Sequence, residues 1–267
     1  MNADDIKVCI LRVAGTNRDG DVKNVLEHLG IRADVCHLNR VAREENLLDY
    51  HIVVLPGGFS YGDYIRSGAI FGKELKTKIG DQMEKFVNEG RALLGICNGF
   101  QILVESGFLP ALNGISEYPE AVLANNASAR FECRWIAMKS QDSNCRLTAS
   151  IPKDKIIRAP IAHGEGRFLV SENYLEKLKD NKQIVFRYYK TDGELAKNEY
   201  PYNPNGAVDD IAGICNPEGN VLAFMPHPED SFFKYQYPDW TANGNSGEYG
   251  DGFYVFNSLI EYVKGRF

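Results

Sequence analysis

The 267-residue sequence lacks the marks of several large protein classes. It has no run of Lys or Arg. Its formal net charge is −6 with an isoelectric point near 5.5, which argues against a phosphate-backbone footprint and predicts no nucleic-acid partner. The longest continuous apolar stretches, such as Ile52–Leu55 and Ala92–Ile96, fall far short of the roughly 18 residues of a spanning helix. No membrane association is therefore expected. Residues 1–5 are polar and acidic, without the basic and apolar regions of a secretory signal. Cysteine occurs six times but never as C-x-x-C, so neither a disulfide framework nor a zinc cluster is expected. The site is expected to hold no metal, and a reducing cytoplasm fits best. There is no G-x-x-x-x-G-K-[ST] loop for a nucleotide phosphate.

What is present is an alternation of short apolar runs and amphipathic stretches through the first hundred residues. Runs at 8–11, 33–38, 51–55 and 91–96 read as strands. Stretches at 22–29, 44–48, 71–89 and from 100 onward read as helices, the first capped by Asn17 or Asp19. Continuous apolar strands separated by helices imply a parallel sheet covered on both faces. We therefore expect an α/β fold with flavodoxin-like doubly wound order. After about residue 121 the texture changes to aromatic and β-branched segments near 130–138, 155–161 and 184–189, an antiparallel elaboration of the carboxy-terminal half. A hairpin is expected at 211–225, a surface excursion at 192–210 and a terminal helix at 254–263.

Three segments carry chemistry. In Gly95-Ile96-Cys97-Asn98-Gly99, a cysteine takes the nucleophile place of a G-x-nucleophile-x-G elbow, at the end of a strand and the start of a helix. A helix N-terminus favours an anionic side chain and offers free amides to a developing oxyanion. A buried structural cysteine at a tight turn is the competing reading. A thiolate nucleophile needs a proton shuttle and a group to orient it. Of the five histidines, His227 stands out in Pro226-His227-Pro228-Glu229, just after an apolar strand. In an extended chain residues i and i+2 point the same way, so Glu229 can meet the His227 ring. The third segment, Leu55-Pro56-Gly57-Gly58-Phe59-Ser60-Tyr61-Gly62, is a glycine loop at a strand end, where open sheets bind ligands. Its Gly58 N–H is a candidate oxyanion donor. The same loop matches G-x-S-x-G, which leaves a Ser60 hydrolase open.

Together these segments resemble the class I (triad-type) glutamine amidotransferases. The longer strings Gly57 to Ile70, Arg130 to Trp135 and Pro160 to Phe168 resemble, within that group, the glutaminase subunits of phosphoribosylformylglycinamidine synthase. The resemblance implies one amidotransferase domain over residues 6–264, with an insertion around 190–210 and an extended tail at 231–267. It implies hydrolysis of L-glutamine to glutamate and ammonia through a Cys97 thioester, with His227 and Glu229 completing a triad. Gly58 and Asn98 would donate to the oxyanion, and Gln101 would help seat the substrate. Arg134 and His163 lie in family motifs as substrate or interface residues. The resemblance also implies no cofactor in this subunit. ATP, magnesium and the formylglycinamide ribonucleotide acceptor would bind a large synthetase partner, joined by a small accessory subunit. Two departures stand out: Asp230 where the family commonly has Arg, and Arg18 where a cysteine is frequent. Another triad-type amidotransferase or a cysteine peptidase of related fold, and a non-catalytic interaction module, remain the competing readings.

Overall fold

The computed structural model describes residues 2–242 and 247–267. In chain order the regular elements are β1 (Lys7–Arg12), α1 (Asp19–His28), β2 (Arg32–His37), α2 (Leu38–Glu44), β3 (Ile52–Leu55), α3 (Ala69–Asn88), β4 (Ala92–Ile96) and α4 (Asn98–Glu105). Then follow β5 (Val122–Ala124), β6 (Glu132–Ser140), β7 (Ile156–His163), β8 (Arg167–Leu169), α5 (Glu172–Asp180), β9 (Ile184–Tyr189), β10 (Ile211–Cys215), β11 (Val221–Phe224) and α6 (Gly252–Arg266). Nine strands form one sheet in the order β2-β1-β3-β4-β11-β10-β9-β6-β7. The pairings from β2 through β11 are parallel, in the expected flavodoxin-like order. The remaining pairings, from β11 to β7, are antiparallel.

The parallel half follows from its composition. Every residue of β3 and β4 is buried, as strands covered on both faces must be. Helix α3 packs against α2 and α4, while α1 and α6 both pack on the short turn Pro228–Ser231. The expected hairpin at 211–225 is the β10–β11 pair. No helix among the described residues is long and apolar enough to cross a membrane.

Several expectations shift. Helix α1 begins at Asp19, and neither Asn17 nor Asp19 caps it: the cap position is Arg18, without a side-chain cap bond. The helix expected at 44–48 lies earlier, as α2, because the His37 ring accepts from the Asn39 N–H (3.1 Å) and starts the helix there. Helix α5, started by a Ser171 cap, has no counterpart in the sequence reading. The segment 192–210 is a surface excursion in its first half, with 192–194 and 197–201 exposed, but its second half is tied into the protein. The Asp210 carboxylate accepts from the Lys197 and Asn198 N–H groups (both 2.7 Å) and from the Asn203 amide (2.8 Å), and these turns sink Asn203, Asn205 and Asp210 into the interior. Residues 243–246 of the expected tail lie outside the described residues.

Candidate active site

Cys97 sits at the junction of β4 and α4 with φ 50° and ψ −102°. That conformation is unfavourable for any side-chain-bearing residue, at about 1–3 kcal/mol. The backbone around it holds it there. Its N–H donates to Phe224 O on β11 (2.9 Å), and its own carbonyl accepts from Phe100 N (2.9 Å) and Gln101 N (3.2 Å). The flanking glycines are required by close approach rather than by flexibility. A Cβ on Gly99 would lie 1.9 Å from Leu55 O, and one on Gly95 would lie 2.8 Å from Gly99 O. The elbow therefore packs strand, helix and the end of β3 together at backbone contact distance.

His227 reaches the same place from the end of β11. Its N–H donates to Pro160 O (2.8 Å), and its Nδ1 meets Glu229 Oε1 at 2.7 Å, with both side chains buried. The pairing is the expected one, but its cause differs. Pro228 opens a tight 3-10 turn through Ser231, and the turn, not an extended chain, brings Glu229 back under the ring. The ring lies over Gly57, where a Cβ would approach its Cε1 to 2.7 Å. Burial pulls the His227 pKa down. The Glu229 carboxylate and the neighbouring Cys97 sulfur outweigh it and hold the pKa well above 6.5. Cys97 and His227 line the same cavity, and the buried His227 Nε2 makes no hydrogen bond. The thiol instead points toward Ala162 O at 3.9 Å.

Cys97 and His227 share a cavity of about 350 Å³ with Asn17, Arg18, Gly58, Phe59, Phe131 and Ala162. Gly58 has φ 146°, and a Cβ there would strike Asn17 N and Gly15 O below 3.0 Å, so the backbone comes to the cavity bare. Asn98 is the first residue of α4, where no carbonyl of the same helix can accept from its N–H. Phe59 and Phe131 form an aromatic rim, ring centroids 6.3 Å apart.

The other expected residues lie elsewhere. Gln101 is not on the cavity wall: its amide accepts from Asn98 Nδ2 (2.9 Å) and donates to Glu165 O, so both ends are engaged inside the protein. Arg134 pairs with Glu132 (2.8 Å) and lies over the Tyr200 ring at 4.7 Å, away from the cavity lining. His163 is buried just behind the cavity. Its Nδ1 is bonded to Asn126 Oδ1 (3.1 Å), and burial and the charge of His227 push its pKa down to about 3. Ser60 is buried and its Oγ has no hydrogen-bond partner, hence no base to activate it. Asn17, Phe59, Phe131 and Ala162 are cavity residues that sequence reasoning passed over. Asn17 and Phe59 carried a signal, following the carboxyl ends of parallel strands β1 and β3, and Phe131 and Ala162 lay in the strings that carry the family resemblance.

The described residues bring His227, Glu229 and Asp230 within 4.8 Å of one another. Within the group Glu229 pairs with His227 and Asp230 pairs with Arg18 at 2.8 Å.

Comparison with known proteins identifies the family. The model of the CobB/CobQ-like glutamine amidotransferase domain matches residues 5–263. The phosphoribosylformylglycinamidine synthase subunit PurQ of Archaeoglobus fulgidus is 41% identical over 278 residues, covering 99% of each chain. That of Treponema denticola is 44% identical over 239 residues, covering 84% of this chain and 88% of its own. Among solved structures, PurLQS from Thermotoga maritima contains a chain that superposes with TM-score 0.73 at 32% identity, covering 97% of this chain and 99% of that one. The chain belongs to the phosphoribosylformylglycinamidine synthase subunit PurQ family, within the CobB/CobQ-like glutamine amidotransferases.

Proposed function

We propose that this chain is the glutaminase subunit of a phosphoribosylformylglycinamidine synthase. It hydrolyses L-glutamine to glutamate and ammonia and passes the ammonia to a synthetase subunit. The observation that carries the reading is the convergence of Cys97, His227 and the bare Gly58 backbone on one cavity. Cys97 sulfur attacks the carbon of the glutamine carboxamide, and the N–H groups of Gly58 and Asn98 receive the oxyanion, at about 3 kcal/mol per donor. His227 delivers its proton to the departing ammonia and leaves a γ-glutamyl thioester on Cys97. It then takes a proton from water as that water attacks the thioester. Glu229 holds the imidazole in the required orientation.

Relatives named as PurQ, and a related chain in a structure titled PurLQS, support a synthetase partner. A small accessory subunit completes the complex in this reading. ATP and magnesium serve the amidine-forming step on the synthetase side. A catalytic thiol works in a reducing compartment, which favours the cytoplasm.

The experiment measures glutamate release from L-glutamine by the chain assembled with its synthetase subunit. Cys97→Ser should lose at least about a thousandfold while retaining its fold. Undiminished release in Cys97→Ser overturns the reading.

A further inference from the structure

Arg18 and Asp230 are partners, although they lie 212 positions apart. Arg18 Nη1 is 3.1 Å from Asp230 Oδ1 and Arg18 Nη2 is 2.8 Å from Asp230 Oδ2, a two-pronged fork. A second acid, Asp21 on α1, accepts from Nη1 at 3.1 Å. The backbone takes part as well. Arg18 N–H donates to Gly57 O (3.2 Å), and Asp230 N–H donates to His227 O (3.2 Å). The Arg18 stem and the His227 ring pack on the same bare α-carbon, since a Cβ on Gly57 would lie 3.3 Å from Arg18 Cγ and 2.7 Å from His227 Cε1. The fork thus ties the turn that carries Glu229 to the loop between β1 and α1, along the edge of the Cys97 cavity.

We propose that Arg18 and Asp230 are a positioning pair for His227, a clamp that fixes its turn and balances the charge around its ring. The proposal rests on the reading of His227 as the proton shuttle. Charged and titratable groups from several elements enter the balance, with Asp21 of α1 behind the Arg18 fork. Glu229 and Asp230 come from its own turn, Cys97 from the elbow, Arg18 from the loop after β1, and His163 from β7. Glu229 and Asp230 are adjacent carboxylates. Burial and Glu229 push the Asp230 pKa up to about 6, while Arg18 works against that rise. Without the guanidinium, two neighbouring acids would stand beside one imidazole.

The clamp predicts effects of opposite sign. Arg18→Gln removes a cation near the ring, so the imidazolium is favoured and the His227 protonation midpoint rises. Asp230→Asn removes an anion and leaves Arg18 facing the ring, so the midpoint falls. Both groups are partly exposed and therefore screened, which limits each shift to about half a pH unit. In the double variant the two charges leave together and the midpoint returns close to wild type.

The test is titration of histidine-labelled full-length chain by NMR, with His227→Gln identifying the ring signal. Opposite shifts in the single variants and cancellation in the double support the clamp. Shifts of the same sign, or an unmoved midpoint with only a lowered melting temperature, overturn it and leave a purely structural ion pair. A Cys97→Ser control in the glutamate-release assay separates the two claims. If that variant stays fully active, the shuttle reading fails whatever the titration shows.

Discussion

The two sides of the cavity are built by different means. The Cys97 side is held by backbone: an unfavourable φ, three main-chain hydrogen bonds at the elbow, and glycines whose neighbours leave no room for a methyl group. The His227 side is held by charge: a buried histidine–carboxylate pair at 2.7 Å and an arginine fork on the next residue. The difference implies that damage to the first side registers as lost folding stability. Damage to the second registers as altered protonation in a chain that still folds.

The largest effect should come from the charged side. Glu229→Gln leaves a hydrogen-bonding side chain of the same shape but removes the anion that favours the protonated ring. Glutamate release by the assembled enzyme should fall about a thousandfold. The stability change has a definite sign. The folded pKa of His227 is raised, so its contribution is fully present below about pH 6.5, the ordinary histidine value, and is lost as pH rises through the higher folded value. The melting-temperature gap between wild type and Glu229→Gln should therefore be widest near pH 6 and narrow in alkali. A gap that widens with pH would break the assignment.

Next comes Gly99→Ala on the backbone side. The added carbon meets Leu55 O at 1.9 Å, and the elbow, the end of β3 and the start of α4 must all move to admit it. A loss of about 3 kcal/mol is expected from urea unfolding, with no pH signature of its own. A loss below about 1 kcal/mol would show the elbow to be more yielding than its contacts imply.

Smaller again is Phe131→Ala at the exposed rim, where the residue is 53% exposed. It should leave the melting temperature nearly unchanged and raise KM for glutamine a few-fold, because the rim borders the cavity without touching the reacting atoms. The smallest effect on activity should be that of Arg134→Ala. Its pair with Glu132 lies off the cavity wall, so no change in kcat is expected, and because the Glu132 carboxylate is buried and keeps only the Ser128 hydroxyl, a stability loss of about 1–2 kcal/mol is expected.

The same contrast explains what could be read from the chain beforehand. Fully buried strands such as β3 and β4 announce themselves as unbroken apolar runs, and the elbow announces itself through two glycines around one cysteine. The β10–β11 hairpin was legible from the turn residues at 217–220. Local pattern holds no record of which distant strands become neighbours, so the placement of β9 between β10 and β6 was not legible. The Arg18–Asp230 fork was hidden for the same reason: each residue looked like an isolated departure, and only the fold makes them one feature. Gln101 carries a role that only the family resemblance implied; its side-chain bonds to Asn98 and Glu165 could not be read from local pattern.

The central claim is that glutamine becomes covalently attached to Cys97. Rapid acid quenching of the complete enzyme during turnover, followed by peptide mass analysis, tests it directly. The account predicts a γ-glutamyl adduct on the peptide containing Cys97, absent in Cys97→Ser and accumulating when His227 is replaced by a side chain that supports attack but not water activation. A steady-state enzyme that turns over glutamine with no adduct on that peptide, or with the adduct on another residue such as Ser60, would contradict it.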